Sequence, residues 1–281
     1  MTHRLIALFI ALACGFGSLA TAQSVENTPL DRLTQRDELS GWEAVGRVDI
    51  RGGGFCTGSL IEPDLVLTAA HCLIDKTKNT AIDPSRIIFR AGYSDGQSVA
   101  TRMAMQTIVH PEYIDAQSSQ FKSIRTDIGL IRLDAAIPTV IASPFNIGEQ
   151  TVGQAVSVVS YARGRSEALS WQKSCAVLDA SKKHGAAAFS CDVTHGASGA
   201  PVFDTSRRRP AIVSVISRGA TKGDLMISYG PIIQAPILEL KEALRTSNGV
   251  NVVGGGLASV VQTSKGAKFV KAGKGVRFVK P

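Results

Sequence analysis

An all-β sandwich or barrel is the fold class this sequence predicts. Three observations carry it. Short β-rich runs dominate the chain, Gly, Pro, Asn or Asp punctuates most of the intervals between them, and no helical pattern of about 12 residues separates one run from the next. The predicted strands, in order, are Val45–Ile50, Phe55–Ile61, Leu65–Ala69, Arg86–Ala91, Met103–Val109 and Ile128–Leu133, followed by Ala155–Tyr161, Ala176–Ala180, Ala187–Cys191 and Ala211–Ser217. Arg51-Gly52-Gly53-Gly54 and Asp83-Pro84 are examples of the turn signals between them.

One helix is predicted, over Ile233–Thr246. Its residues Ile237, Leu240, Lys241 and Leu244 fall at i, i+3, i+4 and i+7, a stripe that is apolar apart from the lysine. Pro236 sits in its first turn, where a missing N–H costs little. The segment after Ile137 contains Pro138, Pro144 and two glycines with few periodic features, and residues 138–153 are read as a linker.

The 281 residues are 44% hydrophobic and 19% charged, which is globular composition with room for a substantial core and excludes a mainly disordered or collagen-like chain. The formal charge of +8 is unevenly placed. Of the 31 basic residues, six follow Ser264, one (Arg4) precedes Val25, and the remaining 24 face all 23 acids, so the body is near neutral. Residues 248–281 are read as a flexible Gly-rich and basic tail. In it Lys268-Phe-Val-Lys271 recurs as Arg277-Phe-Val-Lys280. The tail is either solvated or drawn to an acidic envelope surface through Lys265–Pro281. With the charge confined there, no specific nucleic-acid partner is expected.

The N-terminus reads as an export signal over residues 1–22. His3 and Arg4 form the polar start, Leu5–Leu12 the apolar stretch, and Ala20-Thr21-Ala22 the small-residue cleavage site. The longest apolar run, Leu5 to Cys14, is half of the roughly 20 residues that a membrane span requires, so no transmembrane segment is expected. Cleavage before Cys14 with acylation is a second reading, which Ala11-Leu12 support poorly. The expected location is secreted or periplasmic. Cys56, Cys72, Cys175 and Cys191 then suggest two disulfides, with three pairings open. Adjacent pairing would close two loops of 16-residue spacing, each stabilising by about 3 kcal/mol. Close C-x-x-C or H-x-x-x-H pairs are lacking, so no metal site is expected.

Three segments carry chemistry together: Leu67-Thr-Ala-Ala-His71-Cys72, Thr126-Asp127-Ile-Gly-Leu-Ile-Arg-Leu133 and Gly196-Ala-Ser198-Gly-Ala-Pro201. They supply a base, an orienting carboxylate and a nucleophile. A serine hydroxyl is protonated at neutral pH and needs an imidazole to take its proton, and that imidazole needs a fixed carboxylate behind it. The small residues around Ser198 let the N–H groups of Gly196 and Ser198 point at a developing oxyanion. Each residue alone has an ordinary reading: an unremarkable histidine, a surface carboxylate, a flexible turn. The combination, in this order, reads as catalytic, with no metal or organic cofactor needed.

These segments resemble the three signatures of trypsin/chymotrypsin-like serine proteases, in the family's order His, Asp, Ser. Phe55-Cys-Thr-Gly-Ser-Leu-Ile61 and Val109-His-Pro-Glu-Tyr113 agree as well. The Cys191-Asp192 start of the serine loop is similar to the bacterial, glutamyl-endopeptidase-like branch. The resemblance covers Gly41–Leu244. It implies two six-stranded antiparallel β-barrels with a C-terminal helix and a cleft between the barrels. The first barrel would span 41–137 and carry His71 and Asp127. The second, with the helix, would span 154–247 and carry Ser198. It implies a Cys56–Cys72 disulfide and a polypeptide substrate. It also places Ser214-Val215-Ile216 on the strand that pairs with substrate and walls the primary pocket. Val213 falls where glutamate-specific relatives carry a pocket histidine, which argues against glutamate preference. Asp192 falls where trypsins place their pocket aspartate, although a structural carboxylate beside the disulfide is the alternative. His195 borders the oxyanion loop, whereas His110 and His184 are read as structural or exposed.

The sequence departs from the family at two places. Digestive trypsins carry Asp immediately before the serine, where it pairs with the N-terminus freed on activation; here that residue is Ala197, so this switch cannot operate. Ala200 replaces the usual Gly or Ser, a change of one methyl. Residues 23–40 are then a short propeptide or an N-terminal arm. An α/β-hydrolase is excluded by order, since its histidine follows the serine and none follows Ser198 here. The remaining alternative is a non-catalytic binding protein on the protease fold, held to acidic surfaces by its tail.

Overall fold

The computed structural model describes residues 25–246 and 260–263, apart from 36, 76, 79, 114–119 and 224. The export signal, Cys14 and the Lys265–Pro281 segment lie outside the described residues. In chain order the elements begin with β1 (Leu30–Arg32), β2 (Val45–Ile50), β3 (Phe55–Glu62), β4 (Leu65–Thr68), β5 (Ile74–Asp75), β6 (Thr80–Ala81), β7 (Ile87–Ala91), β8 (Ala100–Val109), α1 (Gln120–Thr126) and β9 (Gly129–Leu133). They continue with β10 (Asn146–Ile147), β11 (Ala155–Ala162), β12 (Arg165–Ser181), β13 (Ala186–Phe189), β14 (Pro201–Asp204), β15 (Ala211–Val215), β16 (Arg218–Lys222), β17 (Leu225–Pro231), α2 (Gln234–Thr246) and β18 (Val260–Thr263).

The first half closes on itself. Antiparallel ladders run β2–β3–β4–β9–β8–β7 and back to β2, a six-stranded barrel with no free edge inside the ring. Leu60, Leu67, Phe89, Ile108 and Leu130 are fully buried in it. The second half rolls up in the order β14–β11–β12–β13–β17–β16, with β15 on the far side of β14. β15 comes back to β17 at the seam: the Ser217 N–H donates to the Tyr229 carbonyl at 2.8 Å and the Ser214 hydroxyl to the Pro231 carbonyl at 2.7 Å. This is the chymotrypsin-like two-barrel fold with a C-terminal helix.

The barrels meet through an aromatic cluster. Trp42 stands 5.0 Å from Phe203 and 5.2 Å from Trp171, and Phe145 stands 4.6 Å from Phe203, centroid to centroid. Tilted pairs of this kind contribute about 0.5–1.5 kcal/mol each beyond their buried area. Phe145 belongs to the segment read as a linker, so that stretch fills the seam between the barrels as well as joining them. A polar contact runs alongside. The Arg47 guanidinium lies 4.1 Å from the centre of the Tyr93 ring, and the Tyr93 hydroxyl donates to Glu167 on β12 at 2.7 Å.

The helix α2 follows the second barrel in sequence yet packs on the first, burying Ile237, Leu240 and Leu244. Lys241, the one polar member of its stripe, reaches Glu62 on β3 at 2.8 Å. Residues 27–33 lie along the second barrel: β1 pairs antiparallel with β12, the Thr28 N–H donates to the Ser174 carbonyl at 2.9 Å and the Leu33 N–H to the Leu169 carbonyl at 2.8 Å; Leu33 and Leu39 are buried.

The elements differ from the sequence expectation in several places. β12 runs 17 residues, where only Ala176–Ala180 is predicted. Its first half is shared between β1 and β11, with a register shift, so its charged residues interrupt any simple alternation. β14, β16 and β17 are additional strands, as are the short β1, β5, β6 and β10. β16 is largely exposed and polar, which erases its pattern. α1 is a seven-residue helix without an apolar stripe long enough to recognise. Val260–Thr263, placed in the flexible tail, pairs with β8 as β18 on the outside of the first barrel.

Candidate active site

His71 stands in a 3₁₀ turn, Ala70–Leu73, directly after β4. The turn is tied down by a disulfide from Cys72 to Cys56 on β3, and a second disulfide joins Cys175 to Cys191. Cys56, His71 and Cys72 lie close enough to suggest a metal cluster, but the disulfide uses both sulfurs and leaves no thiolate.

Asp127, just before β9, is 1% exposed. Its Oδ1 accepts the backbone N–H of His71 at 2.9 Å, and its Oδ2 lies 2.8 Å from Nδ1 of the His71 ring. The Ser217 hydroxyl donates to the same Oδ2 at 2.5 Å. Burial pushes the carboxyl upward, but the charge and hydrogen bond of the His71 ring, with the Ser217 hydroxyl and the His71 N–H, outweigh it. The group is held below the ordinary carboxylate value. A carboxylate so held fixes the ring with its proton on Nδ1 and leaves Nε2 as an acceptor.

Ser198 lies in a tight loop on the other barrel and lines the same cleft as His71 and Asp127. It makes no hydrogen bond to the His71 ring, a looseness common in free enzymes. Two glycines permit the loop. Gly196 has φ +97°, and a Cβ there would stand 2.5 Å from the Phe55 ring and 2.9 Å from the Ala162 Cα. Gly199 has φ +76°, and a Cβ there would run into Thr68 and stand 2.9 Å from the Ala69 nitrogen. Among the described residues, neither the N–H of Gly196 nor that of Ser198 donates to a protein acceptor, so both are available to a ligand.

The cleft encloses about 470 Å³. Val193, Ile216, Gly219, Ala220 and Met226 form an apolar wall, and Tyr113, Thr194, His195, Arg218 and Thr221 add polar groups. Arg218 is fastened by a hydrogen bond from its Nη2 to the Ser123 hydroxyl at 2.8 Å.

Several assignments made from sequence are corrected here. Ser214 and Val215 do not wall the cleft: both are fully buried in β15, which pairs with β14 there. Of that triplet only Ile216 reaches the cleft, and the wall continues through Ser217, Arg218 and Gly219. Val213 is likewise core, so on this stretch of chain the apolar residue that faces the cleft is Ile216 rather than Val213. Asp192 is exposed and outside the cleft lining; its N–H donates to Gln172 Oε1 at 2.8 Å, and its Oδ2 accepts from Gln172 Nε2 at 3.4 Å. His195 does line the cleft, and His110, lowered in pKa chiefly by burial, lies elsewhere and accepts the Glu112 N–H at 3.2 Å. The residues missed from sequence are Ser217 and the wall that follows it. Ser214 and Ser217 look alike in a β-rich run, and only the carboxylate opposite distinguishes them.

The sequence and the fold have counterparts among known proteins. The model of the trypsin-like peptidase domain matches residues 56–211. The chain belongs to that family. Trypsin theta of Drosophila melanogaster is 28% identical over 147 residues, which cover 48% of this chain and 50% of that protein. Trypsin theta of Drosophila erecta is 29% identical over 143 residues, 47% of this chain and 48% of that protein, so the chain matches about half the length of these relatives. Among solved structures, a Glu endopeptidase in complex with MPD superposes with TM-score 0.64 at 20% identity, covering 79% of this chain and 99% of the other. The protease Anisep from Arthrobacter nicotinovorans gives 0.57 at 17% identity, over 74% and 96%. These two share the fold.

Proposed function

We propose that the protein is an exported serine endopeptidase. The observation that carries this reading is the His71 ring, bonded through Nδ1 to a buried Asp127 and facing the cleft that Ser198 also lines. Ser198 attacks a peptide carbonyl while Nε2 of His71 takes its proton. Asp127 keeps the ring in the required tautomer and stabilises the imidazolium that forms. The N–H groups of Gly196 and Ser198 receive the oxyanion. His71 then gives its proton to the leaving amine, and water activated by the same ring hydrolyses the acyl-enzyme. The export signal and two disulfides support an oxidising compartment outside the cytoplasm. Residues 25–40 are retained as an arm, a reading supported by the pairing of β1 with β12.

The test is digestion of a peptide library by the purified protein and by Ser198→Ala. Cleavage by the wild type alone is the expected result. Equal cleavage by both would reject Ser198 as the nucleophile, and no cleavage by either would favour a binding protein on this fold.

A further inference from the structure

Ala197 is fully buried and presents only a methyl, so the loop around Ser198 has no charged anchor at this position. Its orientation is set instead at its carbonyls. In a trans peptide the N–H points opposite to the C=O, so whatever holds one residue's carbonyl aims the next residue's N–H. The His195 carbonyl accepts the Arg163 N–H at 2.7 Å, which aims the N–H of Gly196. The Ala197 carbonyl accepts the Ala200 N–H at 3.0 Å, which aims the N–H of Ser198.

Thr57 grips the loop beside both of these peptides. Its hydroxyl donates to the Gly196 carbonyl at 3.0 Å, and its backbone N–H donates to the Ser198 carbonyl at 2.9 Å. The hydroxyl oxygen also accepts the Tyr161 N–H at 3.0 Å, and the Thr57 carbonyl accepts the Thr68 hydroxyl at 2.8 Å. Thr57 is fully buried on β3 of the first barrel, whereas Gly196 and Tyr161 belong to the second. The Tyr161 carbonyl, at 3.3 Å, is the longer of the two acceptors within reach of the hydroxyl proton, and with a lone pair taken by the Tyr161 N–H the buried hydroxyl has only these two carbonyls to choose between.

We propose that Thr57 is a positioning residue for acyl transfer. Its hydroxyl holds the Gly196–Ala197 peptide, which lies between the two peptides that carry the free N–H groups, and so keeps both of them turned to the cleft without an ion pair. The proposal rests on the role given above to those two N–H groups.

The test compares Thr57→Val, which keeps the shape and loses the hydroxyl, with Thr57→Ser, which keeps the hydroxyl. Arg163→Pro probes the neighbouring clamp by removing its N–H, with Arg163→Ala as the control for loss of the exposed side chain. Gly164 has φ +81° and Arg163 is not in the positive-φ region, so the turn is of type II, whose first corner accepts proline. Because losing one oxyanion donor costs about 100- to 1000-fold, misaiming one is expected to lower kcat by about 10- to 100-fold in Thr57→Val and Arg163→Pro, with KM within about 3-fold. Thr57→Ser is expected within about 3-fold of wild type on the same scale. A Thr57→Val protein with wild-type kcat, or a Thr57→Ser protein as slow as Thr57→Val, overturns the proposal. Crystal structures give a readout independent of turnover: a Gly196 N–H still turned to the cleft in Thr57→Val overturns it even if activity is low. Should Thr57→Val not fold, Thr57→Ser and Arg163→Pro decide, and unchanged kcat in Arg163→Pro overturns the carbonyl-clamp account. Should the wild type cleave nothing, the endopeptidase reading fails, and the loop orientation in the variant structures decides Thr57 by itself.

Discussion

Ser217 and His71 share one oxygen of Asp127: the Ser217 hydroxyl donates to Oδ2 at 2.5 Å and the ring nitrogen Nδ1 lies 2.8 Å from the same atom. Ser217 comes from the stretch just after β15, so the second barrel helps to hold a carboxylate that belongs to the first. The hydrogen bond to a charged, buried acceptor is of the stronger kind.

Replacing Ser217 by Ala removes that bond and leaves Asp127 to the His71 ring and backbone. On the scale of a charge-assisted hydrogen bond, kcat/KM is expected to fall roughly 10-fold, with folding retained. Steady-state kinetics on a substrate from the peptide library check this; an unchanged rate would show that Ser217 does not support the pair.

The Asp127 carboxyl is held below its ordinary value of 3.8, so on acidification the unfolded chain takes up this proton before the folded protein does. Its contribution to stability is complete above that ordinary value and is lost as pH falls through the lower folded value. Asp127→Asn removes the dependence. Its unfolding free energy, measured by urea titration, is expected to drop less than that of wild type between about pH 5 and pH 2. The same variant favours the wrong imidazole tautomer, and kcat is expected to fall by about 10⁴-fold at neutral pH.

The Cys56–Cys72 bridge joins β3 to the turn that carries His71. The double variant Cys56→Ser, Cys72→Ser is expected to lose about 3 kcal/mol of stability, read from a denaturant titration in which the m-value rises because the unfolded chain loses a cross-link. Activity is expected to fall further than that of Cys175→Ser, Cys191→Ser at matched folded fraction, because only the first bridge abuts the base.

Gly219 leaves the cleft open between two apolar walls. A Cβ at this position would stand 2.7 Å from Val193 Cγ2 and 3.2 Å from the Met226 sulfur. Gly219→Val is therefore expected to shift the library profile toward small side chains, lowering kcat/KM for bulky ones by roughly 100-fold. An unaltered profile would place the selecting pocket elsewhere.

Much of the site was legible because its members stand in local contexts that constrain them. Thr68-Ala-Ala-His71-Cys72 couples a strand end to a cysteine, Asp127 precedes a strand of small and apolar residues, and Gly196 to Gly199 allow a backbone that other residues cannot adopt. The cleft wall was displaced by three residues, from Ser214 to Ser217, because alternation reports that a strand is present without marking where it leaves the sheet. Long, bulged β12 and exposed β16 escaped for a related reason: their neighbours on each side, rather than their own composition, make them strands.

The sequence by itself determined the β-rich class and the apolar stripe of α2, and it pointed to an imidazole, a carboxyl group and a hydroxyl as the proposed reacting set. These depend on residue type and short-range spacing, which the chain carries openly. Only the tertiary structure decided which serine supports Asp127, which strand end walls the cleft, and that Thr57 grips the loop around Ser198. Each of those roles depends on the atom lying opposite across a ladder or a barrel seam. Residues up to about 140 positions apart in the chain create that proximity, as Thr57 and Gly196 do, so no local pattern encodes it.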